Sequence, residues 1–123
     1  MIISNYRLTG ETPSKKNNRI GLRSGKNIPS ERYQKWKNAK YIELLRQGIV
    51  CPPLEKPLTI EFFFYHTDNR TRDTDNQISS ILDLLKDTKV IKDDNWQIVR
   101  RINAEALLTQ SKEPYVNVVI SEY

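Results

Sequence analysis

Four aspartates stand out as groups that could do chemistry. Asp73 and Asp75 flank Thr74, and Asp93-Asp94 follow about one helix later. Gathered carboxylates are hard oxygen donors, which Mg²⁺ prefers while keeping several of its waters. A divalent ion so held can activate a water for in-line attack on phosphorus and stabilise the leaving oxygen. Carboxylates brought together repel one another, and the ion relieves that repulsion. Only deprotonated carboxylates ligate well, so activity at such a site should rise from acid toward mildly alkaline pH. Each acid also has a plain structural use. Asp75 can cap a helix, Asp73 can sit in a turn, and Asp93 or Asp94 can form an Asx-turn. An isolated Asp-x-Asp is a weak signal. His66, the only histidine, reads first as a strand-end polar residue and second as a general base or metal ligand.

For the acids to meet, the elements between them must return the chain. Ile78, Ile81, Leu82 and Leu85 recur at helical spacing and predict a helix over 75–87. About 12 helical residues rise roughly 18 Å, and six extended residues from 88 to 94 span about 20 Å. The chain can therefore run back along the helix and bring Asp94 to Asp73 and Asp75. Upstream, 58–65 is rich in β-formers and reads as a central strand leading into the polar turn that carries Asp73. Residues 1–9, 97–108 and 115–121 read as further strands. Pro29-Ser30-Glu31 predicts a helix start with Ser30 as N-cap, and Gly48 a stop. Within that helix, 30–47, Trp36, Ala39, Ile42 and Leu45 form an expected apolar line flanked by Tyr33, Tyr41 and Leu44, with Lys35, Lys37, Lys40 and Arg46 on its other faces. Residues 11–29 have almost no large apolar side chains and hold Lys15, Lys16, Arg19, Arg23 and Lys26, a basic loop suited to a phosphate backbone.

The 123 residues suit one domain over 1–123, and 28% charged against 37% hydrophobic residues is a globular balance with a polar surface. No apolar run approaches the ~20 residues of a membrane span, and the start shows no secretory pattern. Cys51 stands alone, so neither an internal disulfide nor a zinc knuckle can form. It is expected to be a half-buried thiol in a cytoplasmic protein. No nucleophilic triad or phosphate-cradling glycine loop is present. The net charge of +5 is unevenly spread: residues 1–60 carry twelve Lys/Arg against four Asp/Glu, and 61–123 carry eight against eleven. A basic half to hold phosphates and an acidic half to hold metal suit a metal-using nuclease.

Arg72-Asp73-Thr74-Asp75-Asn76 resembles the RusA family of Holliday-junction resolvases, whose pattern is Arg-Asp-x-Asp-Asn opening a helix, then Asp-Asp. The nineteen-residue step from Asp75 to Asp94 has the family spacing without a gap, and Asp83 and Val99 fit as well. Pro13-Ser14-Lys15-Lys16-Asn17-Asn18-Arg19 is similar, more loosely, to the family's N-terminal Pro-Ser-Asn-Arg region. The resemblance covers nearly the whole chain. It implies a small α+β domain with a mixed sheet of about four strands and two helices. It also implies a homodimer that uses Mg²⁺, or Mn²⁺ in its place, to nick two strands of a four-way DNA junction symmetrically, in recombination and repair. Asp73, Asp75 and Asp94 would be the metal-binding catalytic carboxylates, with Asp93 in support. Members are often encoded by phages and prophages. The family lysine one turn after Asp-x-Asp is Ser79 here, so Arg72 is the first candidate to neutralise phosphate charge, followed by Lys15 or Lys16. The expectation is thus an Mg²⁺-dependent endodeoxyribonuclease. Its rivals are a catalytically silent binder of branched DNA with the same fold, and a protein-interaction module whose acids are only caps and turns.

Overall fold

In β4 (Leu58–His66), alternate residues Leu58, Ile60, Phe62 and Phe64 are buried, as a strand lying on a core requires. The computed structural model describes residues 1–14, 19–21, 27–29, 31–49 and 51–123. The remaining elements are β1 (Ile2–Thr9), β2 (Arg19–Gly21), β3 (Asn27–Pro29), α1 (Glu31–Gln47), α2 (Thr74–Asp87), β5 (Val99–Leu108) and β6 (Tyr115–Glu122). Four strands form one sheet in the order β1-β6-β4-β5, and β2 with β3 forms a small separate pair. Two helices and a mixed four-stranded sheet make this a small α+β domain. Among the described residues no helix is long and apolar enough to cross a membrane.

Registry aligns the core face. Phe62 lies opposite Val118, which in turn lies opposite Tyr6, and all three are buried. Ile81, Leu84 and Leu85 of α2 and Leu44 of α1 join the same cluster. β6 runs antiparallel to both neighbours, whereas β4 and β5 are parallel, with Leu58 beside Val99 and His66 beside Leu108. A parallel pair needs a crossover, and α2 with the 88–98 segment supplies it.

The helix over 75–87, the strands and the stop at Gly48 stand close to expectation. Gly48 takes φ +98 and its N–H reaches the Leu44 carbonyl at 3.0 Å, closing α1. Three expectations need correction. The buried face of α1 is Tyr33, Lys40 and Leu44, while Ile42 and Leu45 are exposed. A strict spacing of three drifts about 60° round the helix at each step, because a turn takes ~3.6 residues. Lys40, expected on a solvated face, is 8% exposed, and its ammonium meets Glu43 and, at 3.1 Å, the Thr9 hydroxyl. Cys51 is exposed rather than half-buried. The segment read as a basic loop also contains the β2–β3 pair, too short to show a pattern in sequence. Ser30 lies outside the described residues.

Candidate active site

The two acidic motifs belong to opposite ends of the crossover. Asp73 is the N-cap residue of α2, in extended conformation, and its side chain makes no capping hydrogen bond. Its backbone oxygen receives the Gln77 N–H at 3.1 Å, and its carboxylate takes a hydrogen bond from Asn76 at 3.3 Å. Asp75 lies in the first turn of α2, where the helix dipole favours an anion. It does not cap the helix, and it is exposed. Ser79, also exposed, follows one turn later.

A tightly tied network stands beside Asp73. Glu11 follows Gly10, whose φ of +81 turns the chain off β1. One Glu11 oxygen lies 2.8 Å from His66 Nδ1, and the other accepts from Arg72 Nε at 3.1 Å. Arg72 Nη1 also meets Asp68 at 2.9 Å and donates to the Arg70 carbonyl at 3.1 Å. With only 15% of its side chain exposed, Arg72 is held by two carboxylates at the edge of the site. Its hydrogen bond to Asp68, followed by the Arg70 backbone N–H, holds the Asp68 carboxyl below the usual aspartate range. Gln77, buried, donates to the Thr12 carbonyl at 2.9 Å, and its Oε1 has no partner among the described residues. Arg32, Arg70, Arg72, Asp73, Glu11 and Gln77 line a cleft of about 430 Å³. Glu11, Arg32, Arg70 and Gln77 escaped the reading of the sequence. Only the glycine before Glu11 hinted that the strand ends there.

The second motif lies past the C-terminus of α2. Ile91 bridges to Leu54, and the Lys92 ammonium meets Glu55 at 2.8 Å, which seats this segment beside the start of β4. Asp93 accepts the backbone N–H of Asp94 at 2.8 Å and a side-chain hydrogen bond from Asn95 at 3.2 Å. The Asp94 N–H is the main cause of a lowered Asp93 pKa. Lys86, in the last turn of α2, places its ammonium 3.9 Å from oxygens of both Asp93 and Asp94. Where a cation is expected between these acids, the chain already puts one of its own.

Oxygen donors on exposed acids suit Mg²⁺ chemically. Their placement within one chain does not suit a shared ion. α2 rises about 20 Å over its length, with Asp73 and Asp75 at one end and Asp94 at the other. Among the described residues no three His, Cys, Asp or Glu side chains stand close enough to hold one metal. The chain length allowed a return along the helix, but the parallel register draws 92–98 to the start of β4 instead. Lys15, Lys16, Arg23 and Lys26 lie outside the described residues, as does the side chain of Arg19.

Among curated proteins no match is found. The profile of the RusA endodeoxyribonucleases matches residues 10–121, which include both acidic motifs and the network around Arg72. That span is nearly the entire 123 residues, and so this chain belongs to the RusA endodeoxyribonuclease family.

Proposed function

We propose that the protein is an Mg²⁺-dependent endodeoxyribonuclease that resolves four-way junctions by paired symmetric nicks, in DNA recombination and repair in the cytoplasm. The observation that carries this reading is the family match over 10–121 together with Asp73 and Asp75 exposed at the start of α2. Asp73, Asp75 and Asp94 are the catalytic carboxylates of the proposal and Asp93 supports Asp94. Mg²⁺, or Mn²⁺ in its place, would supply an activated water and charge stabilisation at phosphorus. The chain's own part is positional. Arg72, fixed by Glu11 and Asp68, presents positive charge next to Asp73, and Arg32 and Arg70 extend it across the cleft. Lys15, Lys16, Arg19, Arg23 and Lys26 hold the backbone of branched DNA, contacts that position the substrate without reading sequence. Binding weakens steeply with salt.

The test is a labelled four-way junction incubated with Mg²⁺ or chelator, beside Asp75→Asn. Paired nicks that require Mg²⁺ and disappear in Asp75→Asn support the reading. Tight junction binding without cleavage, in both Mg²⁺ and Mn²⁺, sinks it. That second result would establish a silent junction binder, the reading that the neutral Ser79 favours.

A further inference from the structure

A cluster of aromatic rings and guanidinium groups lies away from the cleft, at the end of the sheet where β5 begins. The Arg100 guanidinium stands 5.6 Å from the centre of the Trp96 ring and 4.7 Å from that of Tyr123. The Arg101 guanidinium stands 5.1 Å from the same Tyr123 ring. Consecutive residues of a regular strand point to opposite faces, so Arg100 and Arg101 should not meet one ring. A break in register brings them together. Leu58 pairs with Val99 but Thr59 with Arg101, which leaves Arg100 as an extra residue in β5. A bulge of this kind re-aims side chains, and it is rare between parallel strands. The rings are positioned too. Trp96 sits in a turn closed by Asn95, whose side-chain oxygen accepts the N–H of Gln97 at 3.0 Å and of Ile98 at 3.3 Å. The Tyr123 N–H donates to the Pro57 carbonyl at 3.1 Å.

Core packing does not account for this cluster. Trp96 is 71% exposed and Tyr123 56%, and both arginines are exposed. Among the described residues neither arginine forms an ion pair with a carboxylate. Glu122, next to Tyr123, is engaged by Lys56 at 2.8 Å. Two positive charges therefore stand without a counter-charge against two open rings. Phosphate supplies the counter-charge, and a nucleic-acid base stacks on an exposed ring whatever its sequence. Paired DNA offers phosphates but keeps its bases inside the duplex, so it uses only half of the cluster. An unpaired strand uses all of it. Rings and guanidiniums also serve protein partners, but the family of this chain acts on DNA, and Asp94 lies two residues before Trp96.

We propose that Trp96 and Tyr123 stack bases of an unpaired stretch of the DNA substrate, while Arg100 and Arg101 hold its phosphates, beside the loop of Asp93 and Asp94. This rests on the nuclease reading above. It adds that the protein grips opened strands through a surface separate from the cleft at Arg72.

The test requires no cleavage. The protein is titrated, without metal, with a fluorescein-labelled thymidine oligonucleotide of about twelve nucleotides, within the site sizes usual for single-strand binders. The same strand in a duplex is the control. Anisotropy should show tighter binding to the single strand, and unlabelled strand should quench tryptophan fluorescence. The quenching should vanish in Trp96→Leu, which leaves only the half-buried Trp36. Trp96→Leu and Tyr123→Leu should each weaken single-strand binding about tenfold, the scale of one lost base stack. Trp96→Phe, which keeps a ring, should stay close to wild type. Arg100→Gln and Arg101→Gln should each flatten the slope of log affinity against log salt by about 0.7, the share of one phosphate contact on a single strand. Circular dichroism checks that these exposed variants fold. Equal binding of single strand and duplex, or Trp96→Leu that binds like wild type, overturns the proposal. Trp96→Leu that changes the sedimentation of the protein but not its single-strand affinity makes the cluster a protein contact and overturns it as well. Cleavage of a four-way junction without these effects leaves the nuclease reading standing alone. Single-strand binding through the cluster without any cleavage removes the nuclease reading and keeps this surface.

Discussion

The ammonium of Lys86 stands 3.9 Å from an Asp94 oxygen and equally far from Asp93, so one of the two acidic charges of this loop is offset from within the chain. A metal ion that takes Asp94 must displace it. Lys86→Met is therefore expected to tighten Mn²⁺ binding in calorimetry. The stability change should stay below about 1 kcal/mol, because all three groups are well exposed and such pairs are weak. Weaker Mn²⁺ binding would show instead that Lys86 supports the site.

Glu11 ties β1 to the end of β4 and to the turn before α2 through His66 and Arg72. Glu11→Gln should lower unfolding stability in urea by about 1.5–3 kcal/mol, the scale of hydrogen bonds to charged groups. It should also weaken junction binding, since Arg72 loses one of its two anchors. Unchanged affinity would show that Asp68 alone orients Arg72.

Asp68 has a carboxyl held below its usual range by Arg72. A group whose folded pKa is depressed stabilises the fold above its unfolded value and loses that contribution as pH falls through the folded value. The stability gap between wild type and Asp68→Asn should thus be present at neutral pH and close in strong acid. Denaturant midpoints at pH 7, 4 and 2 would check this. A gap that persists unchanged at pH 2 would remove the carboxylate's charge as its cause.

Phe62 is fully buried at the centre of the sheet, between neighbours on β6 and β5. Phe62→Ala is expected to cost about 3–5 kcal/mol, the usual loss for a large core side chain. For a domain of this size that means a sharply lower melting temperature or no folded protein. A fall of less than 1 kcal/mol would mean that the site collapses around the gap.

Periodicity made much of this molecule legible. Alternation in β4 and the 78-81-82-85 spacing of α2 place the main strand and the crossover helix, and the acids bracket that helix as read. What remained hidden depends on pairing between distant segments. Nothing local says that β5 runs parallel to β4, yet that register decides where Asp94 goes. Lys40 is buried because Glu43, one turn on, and Thr9, from β1, receive its charge; the spacing offers Glu43, but no helical pattern reveals Thr9. Glu11 becomes a hub only once β1 lies close enough for it to reach His66.

β6 is the last strand in the chain, yet it lies between β1 and β4, hydrogen-bonded to both. β1 therefore has no strand partner until β6 has been made, although α1 already packs against it. Until then β1 and β4 share no sheet, and the sheet closes in one late step. Any product that stops short of Tyr115 lacks the strand joining its two halves, so an interrupted translation product would be cleared by proteolysis instead of persisting as a partial enzyme.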